Sequence, residues 1–318
     1  MTNHCISHIK DVDGISSAAL VFAAMGGTFA LTDYDEVFKQ LDSVPEGADS
    51  LVLCDLGTDA TKFDSFAEKL VELSRRMKVT YIDHHYLAPE AREKLASLPI
   101  RLVHDTGECA AMLTYQAFRE SLPAEAAHLA LYGAVTDYMD SSPVATKMME
   151  RFDRQYVLLE CTMLSYAIAN NRGEYAYLEK LVTELAAMRV PHSIERLSDM
   201  ALRQLDVVTA LAGEVHEKGV QLGRLAYMET EESSTGNVAK LLLGAFDVVV
   251  GASYKKKEKV RAEVSLRATS GCRVHLGQAI SSIAARHGGN GGGHQKAAGC
   301  SIPWDSVLTV FTELSEVV

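Results

Sequence analysis

The stretch Tyr81-Ile82-Asp83-His84-His85-Tyr86 constrains this chain most. A hydrophobic run, Lys78 to Ile82, ends abruptly on one carboxylate and two adjacent imidazoles before the chain turns away at Tyr86. In a parallel sheet covered by helices, ligands bind at the carboxyl ends of the strands. Asp83, His84 and His85 are therefore candidates for a metal and phosphate site. A hydrogen-bonded Asp–His pair beside a surface His is the alternative. The choice between them depends on whether other acidic strand ends converge on the same place.

The pattern recurs along the chain. Asn3 to Ile9 reads as a short buried strand, and Ile15 to Met25 has helical spacing of apolar residues, with Asp13 or Ser16 available to cap its first turn. Thr28 to Asp33 is a plausible second strand, and Ser50 to Leu56 is an apolar run that ends in Asp55. A helix from about Thr61 to Met77 leads into the Asp-His-His strand. Arg101 to His104 is a further strand, followed by helices from Thr106 through Phe118 and from Ala124 to Val135, the second ending near Asp137. Strands alternating with helices predict an α/β fold with a parallel sheet covered on both faces.

From Ser141 to about Ala212 the pattern is nearly all helical, interrupted at Pro191, and reads as an arm joining two bodies. After Gly213, Val220 to Tyr227, Phe246 to Tyr254 and Lys259 to Leu266 are β-rich, with helices at Thr235 to Leu243 and Leu276 to His287. The chain closes on a glycine-rich run, a strand near Gly299 to Ile302 and a final helix. A length of 318 residues suits two domains. The expected division is 1–190 with the helical arm, 191–212 as linker and 213–318 as a smaller α/β domain, with the active site in a cleft between the two. The six cysteines are scattered without a Cys-x-x-Cys pair, no apolar run is long enough to span a bilayer, and the N-terminus lacks the regions of a signal peptide. These features predict a cytoplasmic protein with no membrane partner; a homodimer is compatible with them.

The net charge of −11 is unevenly spread. Between Lys240 and Lys296, ten Lys/Arg stand against Asp247, Glu258 and Glu263, a local balance of +7 that leaves −18 for the rest. One part of the chain can hold cations and the other a polyanion. A solvated basic face around Lys255-Lys256-Lys257, read as a hairpin turn, explains some of that asymmetry.

Three other segments end in acidic or imidazole groups: His8-x-x-Asp11-x-Asp13, Asp55 and Asp137. Singly, Asp13 could cap a helix, Asp55 could start a turn and Asp137 could be a solvated helix-end acid. Their joint occurrence at successive element ends favours one site. With His84 they form an oxygen-rich set that suits Mn²⁺, Mg²⁺ or Fe²⁺ better than structural Zn²⁺. Four crowded carboxylates would raise one another's pKa unless cations neutralise them. Two divalent ions would do so, and a two-metal site serves phosphoryl hydrolysis. Separately, Gly291-Gly292-Gly293-His294 with Lys296 can present backbone N–H groups to a phosphate, helped by the dipole of a helix N-terminus beyond them.

The order His8-x-x-Asp11-x-Asp13-Gly, Asp55, Asp83-His84-His85, Asp137 resembles the four motifs of the DHH phosphoesterase superfamily. The spacing of its first motif is closest to the Asp-x-Asp-Gly of RecJ-like members. Gly-Gly-Gly-His and Val264-Ser265-Leu266-Arg267 resemble the accompanying DHHA1 domain. The resemblance implies that His8, Asp11 and Asp55 hold one ion and that Asp13, Asp55, His84 and Asp137 hold the other, most readily Mn²⁺. It further implies that Asp83 orients His84, that His85 faces the scissile phosphate, and that a hydroxide between the ions attacks. Arg267 and His294, with Gly292 and Gly293, would bind the far phosphate or base.

The expected activity is metal-dependent hydrolysis of short single-stranded RNA or DNA, as in exonucleases and nano-RNases. The overall negative charge argues against holding long duplexes through many phosphate contacts. A phosphodiesterase for cyclic di-AMP or the linear dinucleotide pApA is the second reading. A pyrophosphate or polyphosphate hydrolase is a third, and a non-catalytic nucleic-acid-binding partner the fourth.

Overall fold

The structure is a computed structural model that describes residues 2–58, 61–171, 173–231, 235–257 and 260–318. The chain divides into two compact units, Met1–Gln204 and Leu205–Val318. Among the described residues, no helix is long and apolar enough to cross a membrane. All six cysteines are free and buried.

The first unit opens β1 (Asn3–His8), α1 (Val12–Met25), β2 (Thr28–Thr32), α2 (Val37–Asp42), β3 (Ser50–Cys54), α3 (Phe63–Ser74), β4 (Lys78–Asp83), α4 (Pro89–Ser97) and β5 (Arg101–His104). Its strands form a five-stranded sheet in the order β2-β1-β3-β4-β5, with every pairing parallel. Successive strand residues point to opposite faces, and the core divides accordingly. Ile6, Leu51, Leu53 and Tyr81 pack with Leu41, Phe66 and Leu95 of α2, α3 and α4. Cys5, Val52, Cys54 and Ile82 pack on the other face with α1. Because both faces are covered, these strands read as unbroken apolar runs. The strand order reverses between β1 and β3, which opens a crevice beyond their carboxyl ends.

Five further helices follow: α5 (Ala110–Phe118), α6 (Ala127–Thr136), α7 (Pro143–Met149), α8 (Arg154–Asn170) and α9 (Tyr175–Ala186). The sequence pattern suggests that the last of these form an arm between two bodies. Instead α8 packs on α6 and α9 on α1, and Leu164, Leu181 and Leu185 belong to the same core as Ile15 and Leu20. Their apolar faces are buried within the first unit. Pro191 lies in a short 3-10 turn (Pro191–Ser193), after which α10 (Leu197–Lys218) carries the chain across the boundary between Gln204 and Leu205.

The second unit contains β6 (Val220–Leu222), β7 (Leu225–Glu229), α11 (Thr235–Phe246), β8 (Val250–Lys257), β9 (Arg261–Ala268), α12 (Leu276–Arg286), β10 (Asn290–Gly293), β11 (Ala297–Pro303) and α13 (Val307–Val317). These strands form a mixed six-stranded sheet, β10-β11-β9-β8-β7-β6, in which, among the described residues, only β7 and β8 pair in parallel. Leu276, Ile280, Val310 and Phe311 of α12 and α13 pack with Leu225 and Leu266, whereas Val238 and Leu242 of α11 pack with Ala226 and Met228.

Three local expectations change. The β-rich run from Val220 to Tyr227 resolves into a hairpin, β6 and β7. Lys255 to Lys257 are not a turn but the end of β8, in register with Glu263 to Arg261; Lys259, where the next strand was expected to start, lies outside the described residues. The glycine-rich run is an edge strand, β10, and the element after it is β11 rather than a helix. The helix N-terminus it approaches is that of α12, whose Leu276 and Gly277 N–H groups donate to the carbonyls of Gln295 and His294, both at 3.1 Å.

Candidate metal and phosphate site

Four turns deliver the acidic residues of the first unit. At the end of β1, Asp11 is the N-cap of α1, and its Oδ1 accepts the Gly14 N–H at 2.9 Å. The sequence pattern offers Asp13 or Ser16 for this capping role. The helix begins earlier, at Val12, so the cap falls on Asp11 and Asp13 turns inward. Asp13 is buried, and its two oxygens accept the N–H groups of Ala110 at 2.8 Å and Ala111 at 2.7 Å, at the start of α5. A helix N-terminus is a natural seat for a carboxylate.

Asp55 follows β3 with φ at 56°, a left-handed conformation that Asp tolerates better than most residues. Its N–H donates to Ile82 O at 3.0 Å, which ties the end of β3 to β4. Asp137 caps the C-terminus of α6, whose neighbours include α1 and α5.

These groups converge on His84. Its Nε2 lies 3.3 Å from Asp55 Oδ1, 3.4 Å from Asp137 Oδ2 and 3.6 Å from Asp13 Oδ2. One nitrogen and two oxygens, from His84, Asp13 and Asp137, fall within 4.8 Å of one another. His8 Nε2 and Asp11 Oδ2, 3.5 Å apart, form a further nitrogen–oxygen pair after β1. Among the described residues, the buried Asp55 Oδ2 has no hydrogen-bond partner. Burial is the main force pushing Asp55 well above the carboxylate range, with Asp11 and Asp13 adding to it; burial likewise carries Asp13 up to about 6. A carboxylate set this crowded, with an unpartnered buried oxygen and a convergent imidazole, fits divalent cations.

His85 and Asp83 behave differently. The expectation placed Asp83 behind His84, but its hydrogen bond runs to His85, Oδ1 to Nδ1, at 2.9 Å. Burial opposes charge on His85, yet the adjacent Asp83 carboxylate prevails and raises its pKa to about 9. Burial also works against the Asp83 carboxylate, which His85 nevertheless holds down at about 2. In metal-free protein the pair therefore favours the charged form of His85 at neutral pH. A pKa raised on folding stabilises the protein fully below the unfolded value, 6.5, and that contribution is lost as pH rises through the folded value. In metal-free protein, the Tm advantage of the wild type over Asp83→Asn should shrink as pH is raised from 7 through about 9. A thermal melt series gives the answer; a gap that stays constant or widens across that range contradicts the pairing.

One residue of this site lies outside the sequence motifs. Tyr34 follows β2, stacks on His8 with ring centroids 4.4 Å apart at 21°, and places its hydroxyl 3.2 Å from His85 Nε2. The residue as a whole is 38% exposed, but burial at its hydroxyl first, then the charges of Asp55, Asp11, Asp83 and Asp137, push its pKa up. An apolar run ending at Asp33-Tyr34, beside the first strand, is the signal available in the sequence.

The other predicted residues lie in the second unit. Arg267 is in β9, its guanidinium against Gly236 at the start of α11; its Nη1 donates to Leu266 O at 2.9 Å, and its buried Nε has no hydrogen-bond partner among the described residues. Arg267 pairs with Ala297, whose carbonyl accepts the His294 N–H at 2.7 Å, so Arg267 and His294 lie at the same end of the sheet. Gly293 has φ at 129°, and a Cβ there would sit 2.6 Å from Ala297 O, whereas the space beside Gly292 is open.

Both units match known families. Residues 4–134 match the DHH family, N-terminal domain, and residues 222–318 match the DHHA1 domain. Together the matches cover more than half of the chain, which belongs to the DHH/DHHA1 phosphoesterase family. No curated protein matches it by sequence. Among solved structures, it is similar to the pGpG-specific phosphodiesterase PggH from Vibrio cholerae, at 13% identity and TM-score 0.58, over 99% of this chain and 98% of that one. It is also similar to a DHH domain described as a member of a family of ribosomal proteins, at 14% identity and TM-score 0.71, over 99% of this chain and 86% of that one. RecJ from Thermus thermophilus, in complex with Mn²⁺, matches at 16% identity and TM-score 0.63, over 99% of this chain and 51% of that one. The chain therefore spans about half the length of that RecJ.

Proposed function

We propose that this protein is a divalent-metal-dependent phosphodiesterase that hydrolyses short single-stranded oligonucleotides. The observation that carries the reading is the convergence of Asp13, Asp55 and Asp137 on Nε2 of His84, at 3.3 to 3.6 Å. Asp13, Asp55, His84 and Asp137 would hold one ion, and His8, Asp11 and Asp55 the other. Bound there, two divalent ions, Mn²⁺ above all, would polarise the phosphate and lower the pKa of the attacking water.

The chain's own residues do the rest. The α5 N-terminus fixes Asp13 through two backbone N–H bonds, so that carboxylate does not reorient during the reaction. His85, kept cationic by Asp83, donates a hydrogen bond to a phosphate oxygen as negative charge builds there. In the second unit, the planar guanidinium of Arg267 suits a phosphate two oxygens at a time. Gly292, Gly293 and His294 would supply contacts beside it.

A second reading, hydrolysis of a linear or cyclic dinucleotide, is favoured by one observation: the similarity to a pGpG-specific phosphodiesterase extends over nearly the whole of both chains. One substrate panel with Mn²⁺ separates the readings. Mononucleotides should be released from RNA of two to five residues faster than from long single-stranded DNA. Hydrolysis confined to pGpG, pApA or cyclic di-AMP would establish the second reading instead. Cleavage of pyrophosphate alone would overturn both.

A further inference from the structure

Tyr34 joins the two imidazoles that flank the carboxylates, and no motif resemblance calls for it. It opens a short 3-10 turn (Tyr34–Glu36) that is anchored at its start: Asp33 Oδ1 accepts the Tyr34 N–H at 2.9 Å, and Lys10, from the turn after β1, forms an ion pair with Asp33. On that anchor the ring lies nearly parallel to His8, and the hydroxyl reaches Nε2 of His85 at 3.2 Å. A metal-bound histidine is ordinarily oriented by a hydrogen bond to its second ring nitrogen. Among the described residues, the buried Nδ1 of His8 has no such partner. The face of the His8 ring is covered by the stacked ring of Tyr34. His85 is clamped at both nitrogens instead, by Asp83 at Nδ1 and by the Tyr34 hydroxyl at Nε2.

We infer that Tyr34 is a positioning residue with two separable functions: its ring orients His8 toward a divalent ion, and its hydroxyl sets the direction of the His85 Nε2–H bond. The inference rests on the phosphodiesterase reading. The Nε2–H group is the donor that reading assigns to the phosphate, and the tyrosine oxygen holds it in line until a phosphate oxygen replaces that contact. The two functions predict different defects in two variants.

Tyr34→Phe keeps the stack and removes the hydroxyl. Its Mn²⁺ affinity should equal that of the wild type, while kcat falls about tenfold, the equivalent of one hydrogen bond, with KM little changed. Tyr34→Leu removes both. It should bind Mn²⁺ about 10- to 100-fold more weakly at one of two sites, the range typical of lost orienting partners. Excess Mn²⁺ should return its activity to the level of Tyr34→Phe and no higher.

Calorimetric Mn²⁺ titration and steady-state kinetics on the three proteins, with melts to show that each is folded, form the test. Wild-type kcat in Tyr34→Phe, or wild-type Mn²⁺ affinity in Tyr34→Leu, overturns the inference. A wild type that binds Mn²⁺ but cleaves no phosphodiester removes the functional reading instead, and the titrations still decide whether Tyr34 orients His8.

Discussion

Asp55→Asn should lower phosphodiesterase activity by ~10³-fold or more, because in the proposed function Asp55 would be shared between two ions that supply several kcal/mol of charge stabilisation in the transition state. The same substitution should make the metal-free protein more stable. Asn accepts the left-handed backbone of residue 55 as readily as Asp, so the turn after β3 is preserved. What disappears is a buried carboxyl group whose ionisation is opposed by burial and by neighbouring Asp11 and Asp13. The folded-state pKa of Asp55 is raised, so the folded protein holds this proton more tightly than the unfolded chain. Metal-free wild type therefore loses stability as pH rises from the unfolded value, 3.8, toward neutrality, and Asn removes that loss. With metal the order inverts. Wild type gains about 2.7 kcal/mol when free ion is at a hundred times its Kd, and Asp55→Asn gains much less. Melts at pH 7 with EDTA and with Mn²⁺ should show the two curves exchanging order. A variant that is less stable without metal, or stabilised as strongly as the wild type with it, contradicts the assignment of Asp55.

The parts of this site that the sequence disclosed are those fixed by the strands. Asp55 and Asp83-His84 sit where apolar runs stop, and a buried parallel strand has to deliver whatever follows it to the carboxyl edge of the sheet. Roles decided by tertiary contact were not visible. Asp11 and Asp13 flank the same turn, and which of them caps α1 depends on the helix starting at Val12 and on α5 offering two free N–H groups to Asp13. The preference of Asp83 for His85 over His84 is a matter of side-chain direction at the strand end, which adjacency in sequence does not specify. Tyr34 acts across β2, β1 and β4, an association that only the strand order creates.

Two errors of fold have equally physical origins. The helical pattern across α8 and α9 shows that helices form there, but not that they pack on α6 and α1. A run of glycines carries no alternation of side chains, so β10 could not be distinguished from a loop; its pairing with β11 is a backbone property.

Gly133→Ala should damage the site although Gly133 itself contributes no side chain to it. Gly133 lies in α6, where a Cβ would stand 2.5 Å from Asp13 Oδ1, 2.7 Å from the Ala111 Cβ and 3.3 Å from the Cys109 sulfur. The absent side chain is what lets α6 pass against the N-terminus of α5 with Asp13 seated between them. Alanine is the better helix former by about 1 kcal/mol, but relieving this overlap costs roughly 1–3 kcal/mol and forces either α6 or the Asp13 carboxylate to move. Moving Asp13 weakens charge-assisted bonds worth about 1.5–3 kcal/mol each. Moving α6 shifts Asp137, whose N–H bonds to the Gly133 carbonyl at 2.9 Å. Either way the carboxylates around His84 separate, and displacements of about 1 Å lower rates by ~10²-fold. The expected outcome is a lowered Tm together with a loss of that size in kcat. Gly244→Ala is the control: that glycine lies in α11 with open space around it, and alanine there should raise stability by up to ~1 kcal/mol. Should Gly133→Ala behave like Gly244→Ala, the close approach of α5, α6 and Asp13 does not hold the site together.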